Sequence, residues 1–387
     1  MTCYLFSRTR KYFCIFAFFL FLPLFLFKYL NLAIDLGFHL PNFMIVHFIN
    51  APVPPGLSFA TFSAFAMLAI YRQNKQEVGS INIISGYLLF FPQLIAGPIV
   101  MPNHLIPQLK KLNIVEYKNI LYGIFIFSVG FMLKTVFADT AAQYVDPIMT
   151  SIKNASTDEI AIATFLFSQQ IFFDFNGYTL MAIGIAYSFG IKLPENFNAP
   201  YLATSVSDFW RKWHITLSNW IKDFIYIPLG GSRCGRFRNF TNIIIAMLIS
   251  GIWHGYGITF VVWGFLHGGF IVLEKIFVFS FIPRPIKIAF TYFLISILWV
   301  FFRVEHLEDV VYIFENIKFS STSYYFFFVV SGCFLLNYFQ QFITISELDK
   351  FYHRINKIVL MTISVFLIIF CIILSEGSSQ KFIYFNF

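Results

Sequence analysis

The groups able to move protons in this chain are eight histidines and a few carboxylates inside long apolar stretches. His254 follows Asn242 to Trp253, a run without charge. If that run is helical and starts at the cytoplasmic boundary, His254 lies 12 residues in, about 18 Å at 1.5 Å per residue, near the middle of a ~30 Å hydrocarbon layer. An ionisable group at that depth is costly and usually faces a water-filled cavity or a functional path; an imidazole hydrogen-bonded between helices is the plainer alternative. Gly255 and Gly257 follow directly and can supply the positive φ of a turn, so a helix break is expected there. A neutral imidazole at such a break suits a general base.

His267 stands 13 residues further on, about 220° round and ~20 Å along one continuous helix, an arrangement in which the two would not share a site. Gly264, Gly268 and Gly269 beside it point to close helix packing. His214 closes the run Phe209-Trp210-Arg211-Lys212-Trp213-His214. Alternating aromatics and cations fit an interfacial amphipathic helix. They fit equally a site for an anionic donor, with Arg211 and Lys212 on phosphate and the Trp rings on an adenine or an interfacial lipid. His39, His47, His104, His306 and His353 fall at span ends or in loops, where imidazole needs no special account.

Asp174 is the only charged residue in the 32-residue run 160–191, and about 20 residues suffice for one span. A break is therefore expected at Asn176-Gly177, with Asp174 near it orienting an interior polar network through Asn176 or a histidine. The five cysteines, Cys3, Cys14, Cys234, Cys333 and Cys371, include no C-x-x-C pair, so neither a disulfide framework nor a zinc site is indicated, and no metal is expected. Cys234, in a polar loop, reads as an ordinary free thiol before an acylated one.

The elements that must position these groups follow from composition. Only 12% of residues are charged, 58% are hydrophobic, and mean hydropathy is +0.73, which excludes a water-soluble enzyme and indicates an all-α polytopic membrane protein. Arg8, Arg10 and Lys11 precede the apolar run 12–27, but Leu26, Phe27, Lys28 and Tyr29 offer no small-residue cleavage site, so this is a retained first span. Lys/Arg asymmetry sets the topology. Spans 12–27 outward and 56–71 inward lead to Arg72 and Lys75. Span 119–137 leaves Lys110, Lys111 and Lys118 for Asp139, Asp146, Asp158 and Glu159. Segment 79–101 begins and ends on the basic side and contains Gly86, Pro92, Gly97 and Pro98; a re-entrant stretch over Phe90 to Pro98 is expected. Residues 192–240, with seven Lys/Arg against Glu195, Asp208 and Asp223, should face the cytoplasm. After 241–281, spans 286–302, 323–345 and 358–374 leave the C-terminal tail outside. No soluble basic domain exists to bind nucleic acid. No internal repeat supports an inverted-repeat transporter.

Several ordered motifs carry a resemblance. Phe91-Pro92-Gln93-Leu94-Ile95-Ala96-Gly97-Pro98, Gln170 to Tyr178, Leu193-Pro194-Glu195-Asn196-Phe197-Asn198, Phe209 to Ser218, Tyr226-Ile227-Pro228-Leu229-Gly230-Gly231, Gly251-Ile252-Trp253-His254-Gly255 and Trp299-Val300-Phe301-Phe302-Arg303 resemble the membrane-bound O-acyltransferase family. The branch is that of bacterial alginate and peptidoglycan O-acetylation proteins and the teichoic acid D-alanyl transfer protein. The resemblance covers about residues 54–303. It implies a membrane core there, a shorter N-terminal membrane segment (1–53) than the family's usual one, and C-terminal helices over 304–387. Leu180 stands where the family usually has Asp, and Ile258 where it has an aromatic, which implies altered polarity around the site.

The resemblance further implies about 8–11 transmembrane helices and re-entrant segments around a central tunnel in the bacterial inner membrane. His254 and His214 become the catalytic pair. Asp174, Asn176, Arg211, Trp213 and Trp253 become substrate-binding candidates. The implied reaction passes an acyl group, acetyl in the first instance, from a cytoplasmic thioester such as acetyl-CoA to an envelope polysaccharide, with no bound cofactor and with an extracytoplasmic esterase-like partner. D-alanyl transfer to teichoic acid is the nearest alternative. The residues alone also leave open an acyl-donor channel, with His254 as a gating or proton-relay group, and an inert scaffold.

Overall fold

Apolar stretches of span length have to satisfy their backbone polar groups internally, and they do so as helix. The computed structural model describes residues 12–35, 37–49, 53–74, 79–94, 97–111, 115–277, 281–316 and 324–375, and among these none is in a β-strand. Cys3, Arg8, Arg10, Lys11, Lys75, Ile95, Ala96 and the C-terminal tail, all invoked above, lie outside the described residues. Among the described residues, five helical stretches are long and apolar enough to cross a membrane: Tyr117–Thr150, Ile258–Ile276, Arg284–Arg303, Tyr324–Ile343 and Lys357–Ser375. Phe13–Lys28 and Leu57–Arg72 are shorter apolar helices. The protein is an all-α, multi-pass membrane protein.

The chain forms two compact units. The first comprises Met1–Ile124 and Ala182–Pro194. Its helices include α1 (Phe13–Lys28), α2 (Leu57–Asn74), α3 (Ile81–Leu88) and α4 (Pro102–Lys110). Phenylalanines join α1 to α2, with the rings of Phe21 and Phe65 5.5 Å apart. The segment 79–101 forms α3 and the four-residue helix Phe91–Leu94, neither long enough to cross. Its broken backbone is tied down in protein. The fully buried Tyr87 donates its hydroxyl to the Val100 carbonyl at 2.7 Å, and the Gln93 amide donates to the Tyr87 carbonyl at 2.9 Å.

The second unit, Phe125–Met181 and Glu195–Phe387, holds the candidate residues. In chain order it draws on α5 (Tyr117–Met132), a π-helical turn (Leu133–Ala138), α6 (Asp139–Thr150), α7 (Thr157–Ser188), α8 (Val206–Lys212), α9 (Ile215–Ile221), α10 (Arg236–His254), α11 (Ile258–Ile276), α12 (Arg284–Arg303) and α13 (Tyr324–Phe339). A second π-helical turn, Lys222–Tyr226, follows α9.

Two expectations about helix breaks are corrected here. α7 runs unbroken through Asn176-Gly177. Gly177 serves close approach instead: a Cβ on it would lie 2.8 Å from the Gly130 carbonyl oxygen, and one on Gly130 would lie 2.6 Å from the Gly177 carbonyl oxygen. The irregularity sits in the other helix of the pair, as the π-helical turn after α5. The break after His254 is present, but it uses no positive φ. Gly255 is extended at φ −162°, Gly257 has φ −64°, and a Cβ at Gly255 would strike the Phe260 ring at 2.1 Å. α10 and α11 then pack back to back through glycine. A Cβ at Gly251 would meet the Phe260 carbonyl oxygen at 2.2 Å, and one at Gly264 the Met247 carbonyl oxygen at 2.4 Å.

Candidate active site

The α10–α11 hairpin decides which groups meet His254. His254 ends α10 and is 3% exposed. Its ring packs edge to face with Trp253 at 4.7 Å, Trp263 at 5.4 Å and Phe302 at 5.0 Å. Trp263 also lies 4.7 Å from His267. On one continuous helix the two histidines would stand far apart; the reversal at Gly255 to Gly257 instead places both against one indole. The fully buried His267 accepts a hydrogen bond at Nδ1 from Trp210 Nε1 at 3.1 Å. A neutral imidazole that accepts there carries its proton on Nε2.

His214 lies between α8 and α9 in the left-handed conformation, φ 42° and ψ 53°. For a non-glycine residue this costs roughly 1–3 kcal/mol and persists only where the surroundings enforce it. The enforcing segment is Asn196 to Asn198: the Asn196 carbonyl accepts the Ile215 N–H at 3.0 Å, and the Asn198 N–H donates to the Lys212 carbonyl at 2.9 Å. The Asn196 side chain then fixes the ring. Its Oδ1 accepts the Thr216 backbone N–H at 3.1 Å and the Thr216 hydroxyl at 2.9 Å, and lies 3.1 Å from His214 Nδ1. The backbone N–H can only donate, so that Asn196 atom is the acceptor oxygen and Nδ1 is the donor. The lone pair of His214 therefore resides on Nε2, which has no hydrogen-bond partner among the described residues. Complete burial pushes the imidazole down to about 3, keeping it neutral at ordinary pH. Trp253 lies 6.1 Å from His214 and 4.7 Å from His254, so one indole bridges the two imidazoles.

Asp174 is 2% exposed on α7, and a lysine is among its partners. Lys134, in the π-helical turn, contacts Asp174 Oδ1 at 2.8 Å and Asp139 Oδ1 at 2.5 Å. Asn176 is buried two residues on, about 200° round the helix from Asp174. Phe175, between them, packs on His214 at 4.7 Å. α7 thus touches the His214 ring through an apolar side chain, while its carboxylate is held by Lys134 of the π-helical turn between α5 and α6.

The basic run around His214 resolves into two faces. Trp213, 1% exposed, stacks on Phe209 at 5.4 Å and lies 5.0 Å from Trp299; Trp210 is buried against Trp263. Arg211 points outward, its side chain 68% exposed and paired with Asp208 at 3.2 Å. The structure brings together His214, His254, Trp253 and Trp213 in one aromatic layer and leaves Arg211 outside it. The five histidines assigned to ends and loops are all exposed. Trp263, Phe302, Asn196 and Lys134 were not singled out from the sequence. The Asn196 and Phe302 motifs were visible, and Lys134 was a lone cation in an apolar run. Among the described residues no group of three or more His, Cys, Asp or Glu could hold a metal ion.

Residues 22–304 match the family model of the membrane-bound O-acyltransferases. The chain is 38% identical over 310 residues to a peptidoglycan O-acetyltransferase of Helicobacter pylori, covering 70% of this chain and 59% of that protein. It is 34% identical over 292 residues to a probable alginate O-acetylase of Pseudomonas aeruginosa, covering 73% and 55%. A teichoic acid D-alanyltransferase of Bacillus subtilis is 28% identical over 263 residues, covering 64% and 63%. The chain thus spans between half and two thirds of the length of these relatives. The match takes in the segment that clamps His214, the hairpin that buries His254 and the helix that supplies Phe302, and on it this chain belongs to the membrane-bound O-acyltransferase family.

Proposed function

We propose that the protein transfers an acyl group, acetyl in the first instance, from a cytoplasmic thioester donor such as acetyl-CoA to a hydroxyl destined for a cell-envelope or extracellular polysaccharide. The observation that carries this reading is the placement of His214 and His254 against the same Trp253 indole, with the His214 lone pair on Nε2. His254 removes the proton of the acceptor hydroxyl as the oxygen attacks the thioester carbonyl. The C–O bond forms, the C–S bond breaks, and the proton passes to the departing thiolate. His214, with a fixed free lone pair, relays that proton or positions the donor. The enclosing aromatic rings exclude water, which would otherwise compete as acceptor.

The chemistry has to cross a membrane, because the thioester cannot leave the cytoplasm and the polysaccharide lies outside. A buried histidine layer between helix ends is suited to that task, in the inner membrane and with an extracytoplasmic esterase-like partner completing transfer to the polymer. The higher identity to acetylating relatives favours acetyl over D-alanyl. The test is reconstitution of the purified protein with its partner in vesicles and supply of radiolabelled acetyl thioester on the cytoplasmic face. Acyl transfer yields labelled acceptor; appearance of intact donor across the vesicle would establish a channel instead.

A further inference from the structure

Among the described residues, two residues other than glycine have positive φ: His214 at 42° and Ala199 at 45°. The two strained stretches hold each other. The Asn196 carbonyl accepts the Ile215 N–H, and the Asn198 N–H donates to the Lys212 carbonyl. Backbone in this region persists only where its surroundings over-determine it, and mutual support alone would let both stretches relax together. A third element has to fix one of them.

That element comes from further along the chain. After α13, the 3-10 turn Gln340–Ile343 leads to α14 (Ile345–Arg354), capped by Thr344, whose hydroxyl oxygen accepts the Glu347 N–H at 3.4 Å. Two bonds tie this stretch to residues on either side of Ala199. Glu195 Oε1 accepts the N–H of Ile345, the first residue of α14, at 3.1 Å, and Gln340 Oε1 accepts the Tyr201 N–H at 3.2 Å. The first bond satisfies a donor that has no partner within its own helix, with a carboxylate at the positive end of the dipole. The second is anchored in turn. Gln340 is fully buried and donates to Asn337 Oδ1 at 3.4 Å, which also accepts from Gln169 of α7 at 2.9 Å. Tyr201 is pinned by its side chain as well, donating to the Ser168 carbonyl at 2.7 Å and accepting from Trp299 Nε1 at 3.0 Å.

Gln340 and α14 lie outside residues 22–304, the stretch that the family model matches. We propose that Gln340 and the N-terminus of α14 are positioning groups for His214: by holding Tyr201 and Glu195 they fix the backbone around Ala199, which keeps Asn196 on His214 Nδ1 and leaves Nε2 basic. None of them touches a reacting atom. The two bonds bracket both the strained residue and the asparagine that sets the tautomer, which is where a brace for His214 has to act. This rests on the acyl-transfer reading above.

Ile345→Pro is the most selective test. Proline removes the N–H that Glu195 accepts, fits the first helical position, and follows a residue that is already extended, Thr344 at ψ 150°. Gln340→Ala removes the other bond. The ring nitrogen NMR signals of His214 are recorded in the full-length protein in nanodiscs and assigned by their loss in His214→Gln. The wild type should show one neutral tautomer, protonated at Nδ1. Each variant should add the Nε2-protonated tautomer and slow single-turnover acetyl transfer roughly 5-fold or more, the worth of one hydrogen bond. Glu195→Gln, whose amide oxygen still accepts the Ile345 N–H, should keep the wild-type ring signals. If Gln340→Ala fails to fold, Ile345→Pro decides alone. A single tautomer in the variants overturns the proposal, even where transfer and melting temperature fall together, because the bonds are then structural only. Mixed tautomers with transfer at the wild-type rate overturn it as well. Mixed tautomers in the variants with no labelled product from the wild type would refute acyl transfer and leave the brace standing; labelled product with unmoved ring signals would do the reverse.

Discussion

His214 Nδ1 lies 3.1 Å from Asn196 Oδ1, and the Thr216 backbone N–H fixes which Asn196 atom that is. The contact sets the tautomer and so leaves Nε2 basic. Asn196→Ala should free the ring to rotate and lower turnover roughly 10- to 100-fold, as loss of an orienting partner does elsewhere. Asn196→Asp places a carboxylate against Nδ1 and should raise the pH at which activity falls on the acid side. A pH–rate profile unmoved in Asn196→Asp would detach His214 from the chemistry.

The same burial makes stability depend on pH. His214 is held down to about 3, below its ordinary 6.5, so the unfolded chain binds more protons between those values. The neutral buried ring is fully tolerated above the unfolded value, and stability falls as pH drops from about 6.5 towards 3. Melting curves in detergent should show this loss, and His214→Gln should flatten it. Equal slopes in the two proteins would mean other groups dominate the acid limb.

Lys134 contacts two buried carboxylates at once, Asp139 at 2.5 Å and Asp174 at 2.8 Å. Lys134→Met leaves both without that cation and should cost roughly 3–5 kcal/mol. Asp174→Asn keeps the Lys134–Asp139 pair and should cost about 1 kcal/mol while lowering turnover. Thermal unfolding that ranks Asp174→Asn as the more damaging change would show that the pair with Asp139 is the weaker one.

The fold was legible where a single local signal decides. Span positions followed from apolar length, and the end of α10 followed from Gly255 and Gly257. The partner of Asp174 was not legible, because Lys134 reaches it only through a π-helical turn that no sequence period announces. Asn176-Gly177 read as a breaker, yet Gly177 exists for contact with Gly130, a tertiary fact invisible along the chain. The candidate site was half legible for the same reason. The motifs pointed to His214 and His254 separately, while Trp263 joins the histidine layer only once α11 folds back on α10. Arg211 fitted either a phosphate site or an interfacial helix from composition; helix geometry turns it to solvent beside Asp208.

That folding back is itself testable. A Cβ at Gly264 would meet the Met247 carbonyl oxygen at 2.4 Å, and backbone cannot swing aside as a side chain can. Gly264→Ala should push α11 outward, cost about 1–3 kcal/mol, and withdraw Trp263 from His254. Stability and turnover should therefore fall together, whereas an Ala variant with wild-type activity would show that the hairpin spacing is not critical.

The account turns on His254 as the base. Its ring is packed against Trp253, Trp263 and Phe302, so His254→Ala would open a hole, and His254→Gln is the cleaner substitution. The most direct measurement is single-turnover transfer of label from acetyl thioester to acceptor by His254→Gln, with its melting temperature recorded alongside. The account predicts a loss of roughly 100- to 10,000-fold, the worth of a positioned general base, with melting close to wild type. Transfer within a few-fold of wild type by a folded His254→Gln protein would contradict it.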